Sequence, residues 1–135
     1  MLTSLPTPIV SLATFQLAGR GRGSNTWLSP EGCLQFSILL RAPLSAFPTS
    51  RLVFVQYIVC LAVTQACRHS RVLGNRGYDG AGQVKLKWPN DIYIEFPGGE
   101  KKKIGGILVY TSSSGGNMDI VIGAYSTYPC PVPSH

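Results

Sequence analysis

Val84-Lys85-Leu86-Lys87-Trp88-Pro89-Asn90-Asp91-Ile92-Tyr93-Ile94-Glu95-Phe96-Pro97-Gly98-Gly99-Glu100 is the stretch that decides the fold class. Two short runs, Val84 to Trp88 and Ile92 to Phe96, flank the Pro89-Asn90-Asp91 turn, and runs of this length between turn residues read as strands. Pro97 to Glu100 is a hairpin turn that leads into a third strand, Ile104 to Tyr110. Ser112 to Asn117 then turns the chain into Met118 to Ile122. Towards the N-terminus, Leu34 to Leu40 reads as a strand set off by Pro30 and Gly32, and Pro8 to Phe15 as a short buried strand. Beyond Pro43 and Pro48, Thr49 or Ser50 can cap a helix running to about Arg68. That helix is apolar on most of its circumference and is expected to pack in the core, with Arg68, His69 and Arg71 suiting its C-terminal dipole. Leu73 to Gln83 is glycine-rich and reads as a surface loop. The expected class is α/β (α+β): a mixed, mostly antiparallel sheet with one main packed helix. Leu34 to Leu40, Val84 to Trp88, Ile104 to Tyr110 and Met118 to Ile122 are expected in one sheet.

A chain of 135 residues holds one domain or part of one, and 44% hydrophobic with 13% charged residues is a globular composition. The net charge of +6 favours anionic partners such as nucleotides, nucleic acid or acidic protein surfaces. Cys33, Cys60, Cys67 and Cys130 form no CxxC pair, and His69 and His135 stand at no metal-ligand spacing from them. No metal-binding residue is therefore assigned, and the thiols read as reduced core groups of a cytoplasmic protein. The start lacks the basic segment of a signal peptide, and the apolar run Leu52 to Val63 is too short for a bilayer and is interrupted by Gln56, so no membrane association is expected. Residues 124–135 hold three prolines and no apolar periodicity, and are expected to form a divergent, loose tail.

Gly19-Arg20-Gly21-Arg22-Gly23 carries the chemistry. Alternating glycines let backbone N–H groups approach a ligand, and two guanidinium groups one glycine apart suit phosphate oxygens. The segment is neither a Walker loop nor a dinucleotide fingerprint. On its composition alone, an Arg-Gly stretch that solvates a loop or binds RNA fits about as well.

The wider context carries more. Gln16-x-x-Gly19-Arg20-Gly21-Arg22-Gly23-x-x-x-Trp27, followed by Ser29-Pro30-x-Gly32, resembles the signature loop of biotin–protein ligases (holocarboxylase synthetases) of eukaryotic, fungal-like type. Lys87-Trp88-Pro89-Asn90-Asp91-Ile92-Tyr93 resembles the second block of that family, Lys103 to Val109 its third, and Ile120-Val121-Ile122-Gly123 the start of its fourth, all in the family's order.

The resemblance implies a catalytic fold like that of class II aminoacyl-tRNA synthetases. It implies biotin and ATP as substrates with Mg²⁺, and a lysine on the biotin-acceptor domain of a carboxylase as the final recipient; no DNA partner is implied. Residues 1–123 would be part of such a domain. A carboxylate is already a nucleophile, so the chief need is positive charge at the phosphate under attack. Arg20, Arg22 and Lys103 would supply it as catalytic residues facing one cleft. Gln16, Gly19, Gly21, Gly105, Gly106 and Gly123 would join them in holding biotin or the adenylate, the glycine pair letting the ring lie against the backbone. Trp27, Asn90 and Asp91 would stand on the nucleotide side, with Asp91 placed to orient the acceptor lysine. Lys101 and Lys102 read as a solvated charge run, and Trp88 as a core residue.

Two departures from the family pattern stand out. No counterpart of its Ser-Thr-containing biotin loop precedes Gln16, and after Gly123 the family's Gly-x-Asn is replaced by Tyr125-Ser126-Thr127. The expectation is a truncated domain of impaired activity. The rival readings are an inactive fragment of the same fold with residual nucleotide binding, and an RNA-binding module that uses the Arg-Gly loop.

Overall fold

The computed structural model describes residues 4–46, 48–68 and 83–126. Eight strands and one helix occupy them: β1 Ile9–Ala13, β2 Gln16–Arg20, β3 Thr26–Ser29, β4 Gln35–Pro43, α1 Leu52–Arg68, β5 Gln83–Lys87, β6 Asp91–Glu95, β7 Lys101–Ser114 and β8 Asn117–Ser126. Six of them form one sheet in the order β1-β4-β8-β7-β6-β5, and β2 with β3 forms a separate ribbon. All five ladders of the large sheet are antiparallel. The four strands expected in one sheet do share it.

Turn chemistry sets the register. Gly115 and Gly116 both take positive φ, +57° and +78°, which is the pairing a two-residue hairpin needs. That turn aligns Ser114 with Asn117 and so fixes the whole β7–β8 ladder down to Gly105 opposite Ser126. Strand alternation then sorts the side chains onto two faces. Ile92, Ile94, Ile107, Ile120, Ile122 and Ala124 belong to the core under the helix, while Asp91, Lys103 and Tyr125 border the opposite face described below.

Several expectations are corrected. The helix is not capped by Thr49 or Ser50: Thr49–Arg51 is a 3-10 turn after Pro48, with no side-chain cap bond. Its apolar circumference is not enclosed either. Only Cys60 and Thr64 are buried, whereas Val53, Phe54 and Ile58 are exposed. Turn and helix together span 20 residues, Thr49–Arg68, apolar and long enough to cross a bilayer by length and composition. That is longer than the Leu52 to Val63 run suggested. The helix nonetheless lies on β5, β6 and β7, and Arg68 ties its end to the sheet by donating from Nε to the Val84 carbonyl at 2.7 Å.

β1 is an edge strand with every residue exposed, not a buried one. Trp88, expected in the core, is 66% exposed. Ala124, Tyr125 and Ser126 continue β8 rather than starting a tail. The loop read at 73–83 lies outside the described residues apart from Gln83, which opens β5. His69, Arg71 and residues 127–135 lie outside them too.

Candidate active site

The Arg-Gly segment is built as a hairpin rather than a free loop. β2 and β3 pair through Gly19–Trp27 and Arg20–Thr26. At the tip, the Gly21 N–H donates to the Asn25 carbonyl at 2.8 Å, and the Asn25 N–H to the Arg22 carbonyl at 3.3 Å. Gly21 has to be small: a Cβ there would stand 2.4 Å from the Trp27 indole nitrogen. Gly19 likewise makes room for the Gln16 side-chain oxygen, 2.5 Å from where a Cβ would be.

Trp27 ties this tip to the sheet. Its ring meets Tyr125 with centroids 4.8 Å apart, and the Lys103 ammonium lies 4.9 Å from its centroid. Lys103 also pairs with Asp91 at 2.6 Å. Burial pulls the Lys103 pKa down, but bonds and charge from Asp91 and Tyr125 more than offset this and leave it above the ordinary lysine value. Tyr125 is held above the ordinary tyrosine value chiefly by burial, against the opposing pull of Lys103. Both groups therefore keep their protons at neutral pH, Lys103 charged and Tyr125 neutral. Lys101 and Lys102 are exposed, as expected, and lie 3.6 Å from Glu95 and Glu100 respectively.

Asn90 is buried and clamps the turn to β7. Its Nδ2 donates to the Ile107 carbonyl at 3.0 Å, and the Ile107 N–H donates to the Asn90 carbonyl at 2.9 Å. Asp91 follows at the start of β6. The turn thus delivers an amide to the frame and a carboxylate to the open face.

Two clefts result. The first, about 460 Å³, is lined by Arg22, Trp27, Asn90, Asp91, Lys103 and Tyr125 among others. The second, about 330 Å³, is lined by Gln16, Arg20, Gln35, Ser37, Gly123 and Tyr125 among others. The three charges expected around one cleft are thus divided: Arg22 and Lys103 border the first, Arg20 the second. Only Leu108 and Tyr125 line both.

Tyr125 borders both clefts and packs over the glycines of β7. A Cβ on Gly106 would come within 2.7 Å of its hydroxyl, and one on Gly105 within 2.6 Å of its carbonyl oxygen. Gly19, Gly105 and Gly106 make room for the chain's own Gln16, β8 and Tyr125, and they line neither cleft. Sequence reasoning noted Tyr125 only as a departure and missed Gln35 altogether; a single glutamine in an apolar strand gives no signal. Arg22 and Lys103 give the first cleft positive charge, and the ion pair with Asp91 holds Lys103 at its rim.

The sequence model of the biotin/lipoate A/B protein ligase family matches residues 1–125. A biotin–protein ligase of Schizosaccharomyces pombe is 34% identical over 129 residues, covering 90% of this chain and 20% of that protein. A solved structure of biotin protein ligase from Aquifex aeolicus in complex with biotin and ATP superposes with a TM-score of 0.58 at 29% identity, over 90% of this chain and 45% of that one. Biotin acetyl coenzyme A carboxylase synthetase from Helicobacter pylori, with bound biotinylated ATP, superposes at 0.54 and 28% identity, over 90% and 49%. The chain therefore spans under half of each protein it matches here.

Proposed function

Because this chain belongs to the biotin/lipoate A/B protein ligase family, we propose that its paired clefts activate biotin with ATP and pass the biotinyl group to a lysine of a carboxylase acceptor domain. The observation that carries the reading is the meeting of Arg22, Lys103 and Asp91 around one cleft, beside a second cleft lined by Gln16, Arg20 and Gly123. The names of the matched structures, which hold biotin with ATP and biotinylated ATP, supply the substrate class.

In this scheme the nucleotide takes the first cleft and biotin the second. A biotin carboxylate oxygen attacks the α-phosphorus, the bond to the bridging oxygen breaks, and pyrophosphate leaves with the electron pair. Lys103 turns from Asp91 to the phosphate, and Arg22 joins it against the growing negative charge. Asp91, released from its ion pair, then orients the acceptor lysine. That amine attacks the acyl carbon, AMP leaves with the electrons of the broken C–O bond, and the amine proton passes to Asp91 or to water. Trp27 holds the hairpin tip against the sheet while this happens.

Among the described residues, no three His, Cys, Asp or Glu side chains gather as a metal site. The described donors do not make a cage for Mg²⁺, and no step is assigned to it; the ion enters as part of the Mg-ATP substrate.

A pyrophosphate-release assay tests the scheme. Slow release that requires biotin is expected, falling on the order of a hundredfold in Lys103→Ala or Arg22→Ala and unchanged in Lys101→Ala. Release without biotin, or release indifferent to Lys103, would overturn it.

A further inference from the structure

Gln35, like the smaller Ser29, is a buried polar side chain that the proposed chemistry leaves unexplained. It stands at the start of β4, opposite Ala13 of β1 and Tyr125 of β8, and is only 4% exposed. Among the described residues, neither its Nε2 nor its Oε1 has a hydrogen-bond partner. A folded interior rarely tolerates a whole unsatisfied carboxamide, because both of its ends were hydrogen-bonded to water in the unfolded chain. Gln35 borders the second cleft, together with Gln16, Ser11 and Ser37. Those three bring further donors and acceptors, while Leu108 and Val121 make the apolar part of the wall.

A carboxamide presents an N–H donor and a C=O acceptor side by side in one plane. Its complement is a group that presents the same pair reversed: a cis amide, a lactam or a cyclic urea. We propose that Gln35 reads the cyclic urea head of the substrate by a two-point hydrogen bond, so that this end of biotin lies in the second cleft. The proposal rests on the functional reading above. It assigns to β4 a specificity contact for which neither the Arg-Gly hairpin nor Lys103 is needed. It also explains why a strand otherwise rich in apolar residues carries an amide at this point.

Gln35→Leu removes both polar atoms at nearly constant volume. Calorimetric titration of biotin and, separately, of Mg-ATP into the wild-type chain and this variant reads the contact, with thermal melting of each unliganded protein alongside. Biotin binding at least about tenfold weaker is expected, with ATP affinity kept within about twofold and the unliganded variant melting higher than wild type. Equal biotin affinity in the two proteins would overturn the assignment, and so would a parallel loss for both ligands. A lower melting point would also overturn it, since the amide would then have a structural partner. If Gln35→Leu does not fold, Gln35→Glu replaces it. That variant keeps an acceptor and loses the donor, and unchanged biotin affinity there would overturn the two-point contact. A wild-type chain that binds ATP and no biotin would refute the functional reading itself, and the Gln35 contact with it. Biotin binding that is indifferent to position 35 would refute the contact alone.

Discussion

Tyr125→Ala removes the one aromatic side chain that both clefts share, and it should move stability and affinity in opposite directions. Tyr125 is half-buried, and truncating a fully buried aromatic costs about 3–5 kcal/mol. Half of that, with part of it carried by the 4.8 Å contact with Trp27, gives a loss of about 2 kcal/mol. For a chain of this size the loss lowers Tm by very roughly 8 °C. A ligand that spans the two clefts must first displace the ring, and so must break a contact worth about 0.5–1.5 kcal/mol. Removing the ring in advance should tighten a non-hydrolysable biotinyl-adenylate analogue by up to about tenfold, while biotin alone and ATP alone change little. Tyr125→Phe keeps the ring and should bind the analogue like wild type. Calorimetry on the three proteins decides the matter. Analogue affinity that falls along with stability in Tyr125→Ala would show that the ring is part of the binding surface and not a barrier across it.

Cys60 predicts an alkaline signature. Its thiol is pushed up to about 12, first by burial and then by the charge of Asp91. In the unfolded chain it ionises near the ordinary value of 9.0. The stability gained by keeping it neutral is therefore complete below that pH and is lost as pH rises towards the folded value. Urea unfolding of wild type and Cys60→Ala at a series of pH values from about 8 to about 11 should show a steeper decline in wild type, and parallel curves would contradict the burial argument. Asn90→Ala leaves the Ile107 carbonyl without its side-chain donor and should cost about 1–3 kcal/mol in the same unfolding assay; a change within experimental error would mean that the backbone bond alone holds the turn.

The sheet was legible wherever turn residues and apolar runs agreed. The Pro97–Glu100 turn lies between β6 and β7 as read, whereas the turn read at Ser112–Asn117 shrinks to Gly115 and Gly116, because Ser112–Ser114 extend β7 and Asn117 opens β8. Where local preference and tertiary setting part company, the reading failed. Glycines and arginines disguised Gln16–Arg20 as loop, since their pairing with Thr26–Ser29 depends on the close fit of Trp27 over Gly21 and not on strand propensity. The helix was judged by its composition, but among the described residues only one of its faces meets the sheet, and Phe54 and Ile58 remain exposed. For the site, the sequence named Arg22, Lys103 and Asp91 through resemblance, and the structure gathers them around one cleft. It could not show that Tyr125 would fill the space over Gly106, because that contact joins β7 to β8 through a register set many residues away at Gly115. Gln35 was invisible for a related reason: an amide is unsatisfied only by virtue of its surroundings.

The most direct test of the account is mass spectrometry of the small molecules formed when the protein is mixed with biotin and Mg-ATP. The account predicts biotinyl-5′-AMP, with AMP and no ADP as the nucleotide product, formed by wild type and reduced on the order of a hundredfold by Lys103→Ala. Biotin and ATP left unconverted by wild type, or ADP in place of AMP, would contradict it.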